Sequence, residues 1–177
     1  GDRMVVLLDG NICQAGPPVT VFRQPVNTDV AAFLGIETVL RGQVISAENG
    51  TVGVAIDGIA PPLTVGVTAT WLLGSEVYAC LRPEAVTLLS APALDEADDE
   101  DLGYLPLAGL SARNVWAGQV QTVEARGPLM RVETDCGFPV IALVTRAAVE
   151  DLGLVPGKRV VATVKATAIH LVSAAQP

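Results

Sequence analysis

Two short stretches set cations beside small side chains: Ser111-Ala112-Arg113-Asn114 in the middle of the chain and Lys165-Ala166-Thr167-Ala168 near its end. Between them Thr145 closes the apolar run Val140 to Val144. Guanidinium, ammonium and hydroxyl groups donate hydrogen bonds, and small residues such as Ala166 leave backbone N–H groups accessible. A tetrahedral dianion accepts at every oxygen and donates at none, so this is the donor set it needs. The chemistry these residues offer is anion capture, with Ser111, Arg113, Asn114, Thr145, Lys165 and Ala166 as the expected oxyanion-binding residues. No nucleophile–base pair or carboxylate pair stands out, so no catalytic residue is expected. His170 lacks a second His or Cys at ligand spacing and reads as structural, which leaves no metal site. Cys13, Cys80 and Cys136 are odd in number and isolated, which suits small buried hydrophobes in a reducing cytoplasm better than a disulfide scaffold.

The elements that must position these residues form a repeat. Val39-Leu40-Arg41-Gly42-Gln43-Val44 recurs as Val115-Trp116-Ala117-Gly118-Gln119-Val120, and Gly74-Ser75-Glu76-Val77 recurs as Gly157-Lys158-Arg159-Val160. The second copy carries a short insertion near Thr145 to Leu152, where Ala147, Ala148, Val149 and Leu152 line one face of a helix closed by Gly153. Strands are expected in the first copy at Gln43 to Ala47, Thr51 to Ile56, Leu63 to Val67, Glu76 to Leu81 and Val86 to Leu89, with Asn49-Gly50 as the clearest hairpin turn. Such spacing predicts a mainly β chain of two tandem small OB-like antiparallel barrels. Ahead of them a hairpin turns on Asp9-Gly10, and two short helices start at Pro17-Pro18 and at Asn27 or Thr28. The expected boundaries are 1–34 for this hairpin-and-helix tail, 35–90 for the first barrel, 91–108 for an acidic linker and 109–174 for the second barrel.

Composition narrows the partners. Half of the 177 residues are apolar, enough to bury a core. Asp95, Glu96, Asp98, Asp99, Glu100 and Asp101 supply most of the net charge of −8 from one short run, so the barrels themselves are nearly neutral. A neutral, aromatic-poor body lacks the basic footprint of a nucleic-acid binder. Its apolar runs fall far short of a bilayer span, so direct membrane insertion is not expected.

The segment from Ser111 to Val172, with its SARN opening, ALVT run (Ala142 to Thr145), VEDLGL helix end (Val149 to Leu154) and KATA close, resembles a molybdate/tungstate-binding Mop domain of the TOBE superfamily. The stretch Asp2 to Leu89 resembles the region that follows the catalytic core of an importer ABC ATPase. Together they resemble the C-terminal regulatory part of a molybdate- or tungstate-type importer ATPase. The resemblance implies a cytoplasmic module, peripheral to the inner membrane through permease subunits, that binds a small oxyanion, needs no cofactor and inhibits further transport. It also implies a homodimer, since the ligand of Mop domains lies between neighbouring copies. No phosphate-binding loop, signature motif or acidic Walker B strand occurs in this stretch, so ATP hydrolysis is expected only of a longer parent. The resemblance departs at Ala148 and Ala166, where Mop domains often carry serine, and in the first copy. There Gly35, Glu37 and Thr38 stand where the second has Ser111, Arg113 and Asn114, and Arg82-Pro83-Glu84 stands for Lys165-Ala166-Thr167. The competing expectation is a purely structural module that dimerises the ATPase or docks a partner, as TOBE domains of sugar importers do; Leu81-Arg82-Pro83-Glu84 resembles theirs.

Overall fold

The computed structural model describes residues 1–90 and 110–174, so the acidic stretch expected to be a linker lies outside the described residues. The N-terminal hairpin pairs β1 (Met4–Leu8) with β2 (Asn11–Gly16) across Asp9 and Gly10, whose φ values of 50° and 79° are those of a tight left-handed turn. Helix α1 (Pro18–Arg23) has proline in its first turn, where no N–H is needed. Helix α2 (Thr28–Phe33) is capped by Asn27, whose Oδ1 accepts the Val30 N–H at 2.9 Å. Val6, Val21 and Val30 bury into one another and hold the hairpin to the helices. Ala31 and Ile36 then pack on Cys80 and Val172, fixing this tail to the first barrel.

The first copy of the repeat contributes β3 (Thr38–Glu48), β4 (Thr51–Ile56), β5 (Ile59–Gly66), β6 (Glu76–Leu81) and β7 (Thr87–Leu89). The second contributes β8 (Asn114–Arg126), β9 (Leu129–Asp135), β10 (Pro139–Thr145), helix α3 (Arg146–Leu152), β11 (Arg159–Val164) and β12 (Ile169–Ser173). β3 is longer than the expected Gln43 to Ala47, because Thr38 to Gly42 pair with β6 while the segment beyond the bulge pairs with β4.

The shared Gly-Gln-Val triplet has one structural job in both copies. A Cβ on Gly42 would lie 2.5 Å from the Ala55 carbonyl oxygen, and one on Gly118 would lie 2.7 Å from that of Asp135, so only glycine admits the crossing strand. Gln43 donates to the Gly74 carbonyl at 3.2 Å and Gln119 to that of Gly157 at 3.0 Å. Val44 and Val120 are buried, and each sits at a β-bulge, which bends the long strand so that it serves both ends of its barrel.

Two tandem antiparallel barrels are present, but neither is closed by its own last strand. The two sheets run β12-β6-β3-β4-β5 and β10-β9-β8-β11-β7. Leu89, Leu88 and Thr87 of the first copy pair with Val161, Ala162 and Thr163 of the second. Ile169 through Ser173 of the second copy pair with Leu81 through Val77 of the first. Single turns of 3-10 helix, Pro83–Ala85 and Ala166–Ala168, carry the chain across in each direction. One hydrophobic cluster therefore joins the copies, from Val44, Leu63 and Leu81 to Val120, Val140 and Trp116, the last set edge-on to Phe138 at 5.3 Å.

Candidate functional site

Position for position, the copies also grip each other with polar side chains. Asn114 opens β8 and is 3% exposed. Its Oδ1 accepts the Thr64 N–H at 2.8 Å, while Nδ2 donates to the carbonyls of Thr64 at 2.9 Å and Val164 at 3.3 Å. Both amide protons are thus spent on the backbone, and the expected anion ligand acts here as a clamp between barrels. Thr38, its counterpart in the first copy, donates to the Pro139 carbonyl and accepts the Ile141 N–H, each at 3.3 Å.

The neighbouring position diverges. Glu37, where the second copy has Arg113, is held by Arg126 and by Arg131, whose Nε lies 2.8 Å away. Burial raises the Glu37 carboxyl pKa, but the hydrogen bonds from Arg131 and Arg126 outweigh it and hold the group below the ordinary glutamate value. The acidic residue in the first copy therefore has a structural cause, the anchoring of the β8–β9 hairpin. Arg113 is exposed, and no carboxylate among the described residues pairs with it.

Ser111 and Lys165, separated by most of the second copy, meet in a cavity of about 300 Å³. Its other walls include Ala112 and Thr163 of the same copy and Thr87 and Leu89 of the exchanged strand β7. No carboxylate among the described residues lines it. The exchange of strands makes this site: β7 crosses from the first barrel to complete a wall that the second copy lacks. Ala166 follows Lys165 as the buried first residue of its 3-10 turn, with Lys165 as the cap.

Arg113, Thr145 and Ala166 are not among the residues that line this cavity. Thr145 is the N-cap of α3, its Oγ1 accepting the Ala148 N–H at 3.1 Å, and it is exposed. Gly153 closes that helix in the left-handed conformation, φ 60°. Thr163 and Thr87 were missed by sequence reasoning, because a hydroxyl inside a strand pattern carries no signal of which cavity it faces. His170, expected to be structural, has its Nε2 3.3 Å from the Pro25 carbonyl oxygen. Burial raises the thiol pKa of Cys80 to about 11 and that of Cys136 to about 12. Among the described residues no cluster of His, Cys, Asp or Glu fits a metal ion, and no helix is long and apolar enough to cross a membrane.

The opening strand, the capped helix, the exchanged strand and the small-residue turn after Lys165 are features that can be compared with known proteins. Residues 110–171 match the TOBE domain family. Around this TOBE domain, 97% of the chain aligns at 29% identity with the molybdate/tungstate import ATP-binding protein WtpC of Pyrococcus horikoshii and covers 42% of that protein. The WtpC of Pyrococcus abyssi is 30% identical over the same 97% of the chain, again covering 42% of the relative. The chain thus spans less than half the length of the curated relatives it matches. The crystal structure of the cytoplasmic molybdate-binding protein ModG with molybdate bound superposes with a TM-score of 0.63 at 26% identity, covering 78% of this chain and 97% of that one. TOBE domain and tandem barrels together are therefore similar to molybdate-binding and molybdate/tungstate-import proteins.

Proposed function

We propose that the second barrel binds molybdate or tungstate at the Lys165–Ser111 cavity and that the chain is the regulatory region of an importer ATPase. The observation that carries this reading is the meeting of an ammonium and hydroxyls in a cavity that no described carboxylate lines, walled by a strand from the other barrel. An anion there takes charge-assisted hydrogen bonds from Lys165 and hydroxyl bonds from Ser111 and Thr163. Arg113, exposed and without an ion-pair partner among the described residues, completes the shell when a second copy brings its own surface against the opening. A twofold homodimer follows from that incompleteness, as does tightening of the dimer by ligand, since whatever binds only the assembled form favours it by mass action. In the full-length protein the ligand-bound dimer holds the paired ATPase subunits in one arrangement, at the cytoplasmic face of the permease subunits, and slows further import.

The test is calorimetric titration with molybdate, tungstate, sulfate and phosphate, paired with sedimentation. Molybdate and tungstate should bind, phosphate should compete poorly because it carries a proton with no acceptor waiting for it, and ligand should shift monomer to dimer. Lys165→Ala and Arg113→Ala should each weaken binding by ~1.5–3 kcal/mol while leaving the fold intact. Phosphate competing as well as molybdate would sink the site; tight binding by a strict monomer would sink the interface. A second reading, docking or dimerisation without anion binding, is favoured by the exposed Phe22, Val26 and Phe33 on the N-terminal helices and loop. It stands if dimerisation proceeds with no heat from either metal oxyanion.

A further inference from the structure

The repeat places a second cavity at the position equivalent to the Lys165 site. Arg82, Cys80 and Ile36 of the first copy occupy the places of Lys165, Thr163 and Ala112, and Ala85 and Ala168 line both cavities. This one is larger, about 770 Å³, because the tail helix α1 and the β5–β6 connection wall it in. Arg23 enters from α1, Thr68 and Trp71 from the connection, and Thr167 and His170 from the second copy. Not one carboxylate among the described residues lines it.

Arg82 is the telling residue. Its side chain is 20% exposed, its Nη1 makes one long contact of 3.5 Å to the outward-facing Glu84, and its Nη2 is buried with no hydrogen-bond partner. A buried guanidinium nitrogen left unmatched at a cavity wall calls for an acceptor that the described residues do not supply. Burial, with the Arg82 charge, lowers the pKa of the imidazole beside it against the pull of the Pro25 carbonyl. It is therefore a second group that an anion would stabilise in its charged form.

We propose that this cavity binds a small organic phosphate, its dianionic head on Arg82, Arg23 and His170 and its body against Trp71 and Val67. Two guanidiniums and an imidazole match a dianion better than a single carboxylate, and the volume exceeds what a bare tetrahedral ion fills. The site is separate from the Lys165 cavity, and neither reading needs the other.

The chain has one histidine, so the imidazole proton resonance of His170 reports on this cavity alone. Among the described residues the charged and titratable groups around it are Cys80 on β6, Arg82 just beyond that strand and Arg23 on α1, with the Pro25 carbonyl as its hydrogen-bond partner. The full 177-residue chain is titrated with AMP, ribose 5-phosphate and inorganic phosphate, each with a pH series. The expected result is a saturable shift of the His170 resonance by the two esters and an imidazole titration moved to higher pH, with at least tenfold weaker binding of inorganic phosphate. Arg82→Gln should abolish the response. Arg23→Gln, an exposed substitution that spares the core, should weaken it several-fold, and Lys165→Ala should leave it unchanged. A resonance that moves with none of the three, or equally with inorganic phosphate, or undiminished in Arg23→Gln, overturns the proposal.

Discussion

Asn114 shows how far one side chain's role depends on its partners. By residue type it is a plausible anion donor, yet three hydrogen bonds tie it to Thr64 and Val164, and cutting them strands a backbone N–H and two carbonyls between the barrels. Asn114→Ala should cost ~1–3 kcal/mol, read as a lower urea midpoint, and should not by itself mimic loss of Lys165 in the anion titration. Glu37 gives a pH dependence of known sign. Its carboxyl pKa is lowered by folding, so the stability it adds is fully present above the unfolded value and is lost as pH falls through the folded one. Glu37→Gln should flatten the acid limb of the stability profile, measured as urea midpoints down a pH series; an unchanged limb would mean the pair with Arg131 is idle. The thiols of Cys80 and Cys136, raised to about 11 and about 12 by burial, should resist alkylation at pH 8 in the native protein and react on unfolding.

Among elements, the exchanged strands are the unexpected feature. β12 begins inside the stretch that matches the TOBE family, but its Leu171 and Ile169 fill the core beside Leu81 of the first copy. Deleting residues 169–177 should therefore open the first sheet at β6 as well as the second copy's end. Amide exchange should show lost protection at Val77 to Leu81, and protection kept there would contradict the pairing. The Gly-Gln-Val bulges carry a second expectation: Gly42→Ala drives a methyl into the Ala55 carbonyl and should cost ~1–3 kcal/mol, a penalty like that of overpacking a core.

For the whole molecule, a hydrophobic cluster shared by both copies means that neither barrel keeps a core when the other opens. Calorimetry should give one unfolding transition with matching calorimetric and van't Hoff enthalpies; two separable transitions would show that the barrels fold independently. Much of this was legible from residue order alone. The Gly-Gln-Val and Gly-x-x-Val repeats announced two copies of one unit, Asn49-Gly50 and Asp9-Gly10 marked turns by their tolerance of positive φ, Thr145 and Gly153 bracketed a helix, and the two cation stretches pointed to anion chemistry. Periodicity reports that a residue is buried, not against which neighbour. β7 and β12 have the apolar pattern to close either barrel, and only the turns at Pro83 and Ala166, with the packing of each on the opposite sheet, send them across. The same limit hid the clamp made by Asn114, the Thr87 and Leu89 wall of the Lys165 cavity, and the gathering of Arg82, Arg23 and His170 around a second one. Each depends on contacts between residues far apart in the chain, which are settled when the strands exchange and the two cores merge.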